Sequence, residues 1–201
     1  MKVIGLCGGS GSGKSAVSKL FEKYNIPSID TDLVYKELTS GESDCMRALV
    51  SAFGESVQNS DGSLNRVKMR DLVFFGIDSE EKRSILNKIT HSFVLAETEK
   101  MIEKYSVEGR EAVIADVPLM FESGFDKRCD VLIAVVADEN VRISRIIERD
   151  GISFEQAKAR IAVQISTDEL VKRVDFVIDN NSDMLNLENK IDNVYKQIFE
   201  K

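Results

Sequence analysis

The sequence predicts an α/β fold, a parallel sheet flanked by helices and carrying two helical inserts. Two observations lead to it. Short apolar runs, rich in β-branched residues, recur at 3–7, 112–117, 131–137 and 176–179, with a further short run at 26–30. Their length and continuity suit strands buried on both faces. Between the runs at 3–7 and 26–30 lies a helix-length segment with Val17, Leu20 and Phe21 on one side. The chain therefore opens as a β-α-β unit, and a crossover helix makes its strands parallel.

A strand at 3–7 leads through a glycine-rich loop into a helix expected over 14–24, and a strand at 26–30 closes the unit. From 33 to 105 the pattern is mainly helical, broken at "GES" (41–43) and at "NSDGS" (59–63). Strands at 112–117 and 131–137 come next. Residues 139–166 read as two helices joined by "RDGIS" (149–153), with Ser153 and Gln156 spaced as a capping box. After the last strand, Met184, Leu187, Ile191, Val194 and Ile198 give a final helix an apolar stripe. The expected organisation is one domain over 1–201, with core segments 1–32, 106–138 and 167–201 and inserts at 33–105 and 139–166. No repeat, low-complexity tract or flexible linker divides it.

Composition bounds the function. The 201 residues suffice for a sizeable core, and 43% hydrophobic with 30% charged residues is ordinary for a soluble protein. The net charge of -7 argues against general binding to nucleic acid but permits a small cationic pocket. Cys7, Cys45 and Cys129 are odd in number and form no CxxC pair, which favours reduced thiols over a disulfide frame or a zinc site. No apolar run approaches the roughly 20 residues of a membrane span. The opening "MKVIGLCGG" is too short in apolar residues for a signal peptide. A cytoplasmic enzyme or binding protein, away from membranes, is the class that these bounds leave.

The most informative stretch is "GGSGSGKS", residues 8–15, which satisfies G-x-x-x-x-G-K-[ST] after a strand and at the start of a helix. Glycines let the backbone curl so that amide groups point at phosphate oxygens, and the helix presents its positive end to the same anion. Lys14 then bridges the β- and γ-phosphates, and the Ser15 hydroxyl holds Mg²⁺. The nucleotide-binding set is Gly9, Ser10, Gly11, Ser12, Gly13, Lys14, Ser15 and Ala16. The glycines come only loosely near a dinucleotide-binding pattern, and the phosphate-binding lysine argues for a nucleoside triphosphate instead. The fold is accordingly expected to be P-loop NTPase-like.

A P-loop alone names no activity. "NKID" (189–192) matches a guanine-reading pattern, but Ile191 belongs to the stripe of the last helix and the chain has no D-x-x-G. "DTD", Asp30-Thr31-Asp32, lies at the carboxyl end of the second strand, where ligands bind in open α/β sheets. Asp32 is the candidate base, able to orient an attacking hydroxyl or to hold Mg²⁺ through water. A helix N-cap is its alternative role. Asp116 ends another strand and resembles a Walker-B acid supporting Mg²⁺, with a strand-end turn before Pro118 as its alternative role. In the second insert Arg142, Arg145 and Arg149 share one helical face, and Arg160 and Gln164 are spaced i, i+4 on the next. Arginines on such helices can form a lid that closes over ATP and stabilises the transferred charge, or simply a solvated face. His91, the one histidine, reads from its pattern as structural.

Together these pieces resemble the dephospho-CoA kinase family over nearly the whole chain. The resemblance is carried by "IGLCGGSGSGKSAV", "IPSIDTD", "DGSLNR" (61–66), "LNKITH" (86–91), "VPLMFESG" (117–124), "RDGIS" with "RIAVQ" (160–164), and "VDFVIDN" (174–180). It implies ATP and Mg²⁺ as cofactors and dephospho-CoA as the small-molecule acceptor, phosphorylated at its ribose 3′-hydroxyl. Lys14, Asp32 and Arg145 are the implied catalytic residues, with Ser15, Asp32 and Asp116 at the metal. Asp32, Arg66, His91, Pro118 and Leu119 are implied for the acceptor, held by the 33–105 insert, and 139–166 is implied as the lid. The implied protein is a monomer or small homo-oligomer in the cytoplasm. Four positions depart from the family pattern: Thr90 and Ser92 flank His91 in place of leucine and proline, Val174 precedes Asp175, and Asn181 replaces a glycine. A nucleoside or nucleotide kinase, or a nucleotide-binding switch, is the alternative.

Overall fold

A computed structural model describes residues 1–76, 78–118 and 120–200. The chain divides into two compact units, Met1–Ile29 with Tyr105–Lys201, and Asp30–Lys104. The second begins three residues before, and ends one residue before, the insert expected at 33–105. The 139–166 insert does not separate; it stays within the first unit.

The first unit contains β1 (Lys2–Cys7), α1 (Lys14–Phe21) and β2, whose residues Ser28–Asp30 cross into the second unit. The helix expected to reach residue 24 ends at Phe21 and tightens into a 3-10 turn, Glu22–Tyr24, before Asn25 adopts a left-handed conformation. The second unit holds α2 (Thr31–Leu38), α3 (Asp44–Phe53), α4 (Arg66–Phe74) and most of α5 (Ser79–Val107). Two of its helix breaks contain the glycine stretches read from the sequence, and a third, between α4 and α5, has no counterpart in that reading. Its core joins Cys45, Met46 and Leu49 of α3 to Val57, Leu64, Met69 and Val73, with Leu86, Ile89 and Phe93 of α5 packed on them.

The first unit resumes with β3 (Ala112–Asp116), β4 (Val131–Val136), α6 (Glu139–Asp150), α7 (Phe154–Ala162), α8 (Thr167–Leu170), β5 (Phe176–Asp179) and α9 (Met184–Phe199). The sheet order is β2-β3-β1-β4-β5, and β1 runs parallel to both of its neighbours, as β4 does to β5. On one face Ile4, Leu6, Ile114, Ile133, Val135 and Ile178, alternating along their strands, pack with Val17 and Phe21 of α1 and with α9. On the other face β1 comes close to its surroundings at Gly5, where a Cβ would stand 2.7 Å from Cys129 Sγ and from Leu132.

Two aspartates pin the parallel register. The Val3 amide donates to the Asp130 carboxylate at 2.7 Å, while the Asp130 amide donates to Val3 O at 2.8 Å. One strand over, Leu132 and Asp175 repeat the pattern at 2.8 and 3.0 Å. Each carboxylate satisfies a strand-end amide that would otherwise lack an acceptor. α6 and α7 form a hairpin with a small core of Ile143, Ile146 and Ala157, and the Ser153–Gln156 capping box is present.

The stripe of the last helix is shorter than the sequence suggests. Leu187, Ile191, Val194 and Ile198 are buried, but Met184, at the first turn, is 56% exposed. Ile191→Ala is expected to lower stability by about 2–5 kcal/mol, through lost burial and the cavity it leaves. Met184→Ala is expected to stay within about 0.5 kcal/mol of the parent. Urea denaturation of both variants checks the contrast.

Candidate active site

The site arises where the chain changes direction in the sheet. β1 is central: the chain leaves it toward β2 on one side, and later passes from β3 to β4 on the other. Such a switch point opens a crevice at the carboxyl ends of the strands. The loop 8–13 leaves β1 there, and Asp116 ends β3 in register with Leu6 of β1. Lys14 Nζ lies 3.8 Å from the Asp116 carboxylate.

The loop has the backbone of an anion cradle. Gly8, Gly11 and Gly13 have φ of 151°, 78° and 95°, a region L side chains rarely enter. At Gly8 a Cβ would stand 2.5 Å from Val135 O, and at Gly13 it would collide with the Asn180 amide. Every carbonyl from Gly8 to Gly13 is engaged. Lys14 Nζ donates to Gly8 O at 2.9 Å, and the Ser12 amide to Gly9 O at 3.1 Å. Arg142 Nε donates to Ser10 O at 2.9 Å. Arg145 reaches Gly11 O at 3.3 Å, Ser12 O at 3.4 Å and Asn180 O at 3.0 Å. Asn180 Nδ2 donates to Ser12 O at 2.8 Å, and the Ala16 and Val17 amides take Gly13 O.

With the carbonyls occupied, the amides of Gly9, Gly11, Gly13, Lys14 and Ser15 have no acceptor among the described residues. They lie in the loop and in the first turn of α1, where unpaired amides and the helix dipole attract an anion. Of the eight residues read as nucleotide-binding, Ser10, Ser12 and Ala16 have their amides committed within the protein. Ser12 Oγ is buried without a hydrogen-bond partner among the described residues. Ser15 is exposed at the helix start.

The two acids of "DTD" divide their tasks. α2 starts at Thr31, so Asp30 is its N-cap, and the Asp30 carboxylate accepts from the amides of Asp32 at 2.9 Å and Leu33 at 3.3 Å. The capping role that was the alternative for Asp32 therefore belongs to Asp30. Asp32 is exposed, and its carboxylate makes no hydrogen bond or ion pair to another described residue.

The arginines also separate. Arg142 is buried and Arg145 half-buried, both against the loop, whereas Arg149 pairs with Asp150 at 2.7 Å and Arg160 pairs with the same carboxylate. Those two guanidiniums hold the Asp150 carboxyl down at about 2. In the second unit Arg66 is exposed, 5.7 Å over the Tyr35 ring, and His91 is exposed on α5. Pro118 is exposed, and Leu119 lies outside the described residues. Cys7 immediately precedes the loop, but burial, reinforced by Cys129 and Asp116, pushes its thiol up to about 12. It stays protonated at neutral pH and is no nucleophile. Lys190 of "NKID" lies within α9 and pairs with Asp179 at 2.9 Å, which leaves no guanine-reading loop there.

Three residues that touch the loop are not paired with it by their sequence signals: Arg142 and Gln164 read as lid-helix residues, and Asn180 ends the segment "VDFVIDN". Gln164 and Asn180 are more than 150 residues from their partners in the chain, as the sequence separations of 154 and 168 show. The helical spacing of Arg142 with Arg145, and of Arg160 with Gln164, hints at shared faces but not at the loop as their partner.

Comparison with known proteins adds a family. The family model described as dephospho-CoA kinase matches residues 2–186. A dephospho-CoA kinase of Bacillus cereus is 38% identical over 194 residues, 96% of this chain and 96% of its own. One from Fusobacterium nucleatum is 37% identical and covers 94% of this chain and 95% of its own. Among solved structures, TT1252 from Thermus thermophilus matches with a TM-score of 0.82 at 27% identity, over 98% of this chain and 97% of its own. A dephospho-CoA kinase from Campylobacter jejuni shares the fold, with a TM-score of 0.67 at 20% identity over 100% of this chain and 98% of its own.

Gly13→Ala is expected to weaken ATP binding at least about tenfold, since the positive φ and the Asn180 amide both oppose a methyl group there. Calorimetric titration checks it, with circular dichroism confirming that the variant is folded.

Proposed function

The chain belongs to the dephospho-CoA kinase family, and from that premise we propose that it transfers the γ-phosphoryl group of ATP to the ribose 3′-hydroxyl of dephospho-CoA. The observation that carries the reading is the loop at the end of β1. It offers a row of unpaired amides beside Lys14, with its carbonyls turned to other partners.

Phosphoryl transfer needs positioning and charge neutralisation more than covalent chemistry. In this reading the free amides and the start of α1 bind the phosphates. Lys14, whose ammonium has three donors, keeps Gly8 O and turns its remaining N–H groups to the β- and γ-phosphate oxygens, with Asp116 as its counter-charge. Arg145, on α6 beside the loop, supplies positive charge toward the transferred group. Asp32, uncommitted at the start of α2, orients the 3′-hydroxyl and takes its proton as the bond to phosphorus forms. Arg66, His91, Pro118 and Leu119 are proposed to hold the acceptor, with Asp30–Lys104 as its binding unit and the α6–α7 hairpin as the lid. Mg²⁺ suits the donors present, the Ser15 hydroxyl with Asp116 and Asp32 reached through water, because it is usually bound by few protein groups plus phosphates. It would neutralise charge on the β- and γ-phosphates. The protein is proposed to work in the cytoplasm as a monomer or small homo-oligomer. No described helix is long and apolar enough to cross a membrane.

ATP turnover is expected to require dephospho-CoA, with free nucleosides and nucleotides far poorer acceptors; equal use of a nucleoside would replace the acceptor in this reading. Asp32→Asn is expected to lower kcat by about 10²–10⁴ with ATP affinity retained. Coupled ADP-release kinetics measures the first quantity and calorimetry the second. Near-normal turnover would take the base role from Asp32.

A further inference from the structure

Ser10 occupies a position that the phosphate-binding motif leaves unspecified, since G-x-x-x-x-G-K-S fixes Gly8, Gly13, Lys14 and Ser15. All three of its polar groups are nonetheless engaged. The Ser10 amide donates to Gln164 Oε1 at 3.0 Å, and the Ser10 hydroxyl accepts from Gln164 Nε2 at 3.0 Å. Its carbonyl accepts from Arg142 Nε at 2.9 Å, and Arg142 also donates to Gln164 Oε1 at 2.7 Å, closing a ring. The flanking glycines fit this ring: a Cβ on Gly9 would collide with the Arg142 guanidinium, and one on Gly11 would stand 2.5 Å from Arg142 O.

We propose that Gln164 is a positioning residue of the nucleotide site, which with Arg142 grips Ser10 and fixes the conformation of the loop before nucleotide arrives. The inference rests on the reading of that loop as the ATP site. A segment this rich in glycine has many conformations to lose on binding. A flipped peptide beside Ser10 would turn a carbonyl oxygen toward the anion in place of an amide. Gripping the Ser10 amide and carbonyl from outside opposes that flip and leaves the amides of Gly11, Gly13, Lys14 and Ser15 uncommitted. Gln164 thereby acts through the loop, without being required to touch a phosphate.

The test compares the full-length wild type with Gln164→Ala, Gln164→Glu, Ser10→Ala and the Ser10→Ala/Gln164→Ala double variant. Calorimetry gives ATP affinity, and steady-state kinetics gives separate KM values for ATP and dephospho-CoA. Gln164→Ala should weaken ATP binding about tenfold, because it strips partners from the Ser10 amide and hydroxyl, and should leave the dephospho-CoA KM in place. Gln164→Glu keeps an oxygen for the Ser10 amide and for Arg142, and the hydroxyl can turn to donate. It should stay within about threefold of wild type. Ser10→Ala alone should cost about threefold in ATP affinity and add almost nothing to Gln164→Ala, since both remove one unit. Wild-type ATP affinity in Gln164→Ala, or additive effects of the two substitutions, would overturn the proposal. If Gln164→Ala does not fold, Ser10→Ala decides: unchanged ATP affinity overturns it and the threefold loss supports it. A wild type that binds no ATP would instead remove the kinase reading on which the proposal rests.

Discussion

A phosphate site built from backbone amides works only if the carbonyls of the same peptides are satisfied elsewhere. Each peptide carries one donor and one acceptor, and an unpaired carbonyl near the anion would repel it. In the loop 8–13 that demand is met at every carbonyl: Lys14, Arg142, Arg145, Asn180 and amides of the loop and α1 serve as donors. The requirement explains why cationic side chains gather on the outer side of the loop. They supply hydrogen bonds where carbonyls need them, and their charge adds to the attraction for a polyanion.

The rest of the first unit brings those donors to one place. The parallel sheet directs the carboxyl ends of its strands to one edge, with β1 in the centre, so the loop is flanked by the segments that leave β3, β4 and β5. Asp130 and Asp175 fix the register on which that convergence depends, since a slip of one residue would turn every strand side chain to the other face. α6 comes after β4 and delivers Arg142 and Arg145, and the end of β5 delivers Asn180. The site is thus a consequence of topology, and the glycines record how closely these groups approach the backbone.

Legibility in the sequence depends on the range of the interactions. The strands, the loop and the Ser153–Gln156 cap are legible because each depends on neighbours within a few residues. Boundaries are misread where local signals are degenerate. Asp30 and Asp32 are equally good caps until the first residue of α2 is known, and one turn of α1 becomes a 3-10 turn without a sequence mark. Met184 keeps helical spacing but sits in a terminal turn, with too little protein around it to be buried. Helical spacing places Arg142, Arg145 and Arg149 on one side, but it does not choose partners for long side chains. Arg149 takes Asp150 next to it while the other two reach the loop. Gln164 stands out in the sequence only as a neighbour of Arg160, and its true partner, Ser10, lies too far along the chain for any local pattern to reveal.

The central claim concerns where the phosphate goes. The measurement that tests it most directly is the structure of the product formed from ATP and dephospho-CoA, by mass spectrometry joined to phosphorus NMR. The expected result is one added phosphate, resonating as a monoester on the ribose 3′ carbon, formed only when enzyme, ATP and acceptor are present together. Phosphate on another hydroxyl, or ATP hydrolysed with dephospho-CoA returned unchanged, would contradict it.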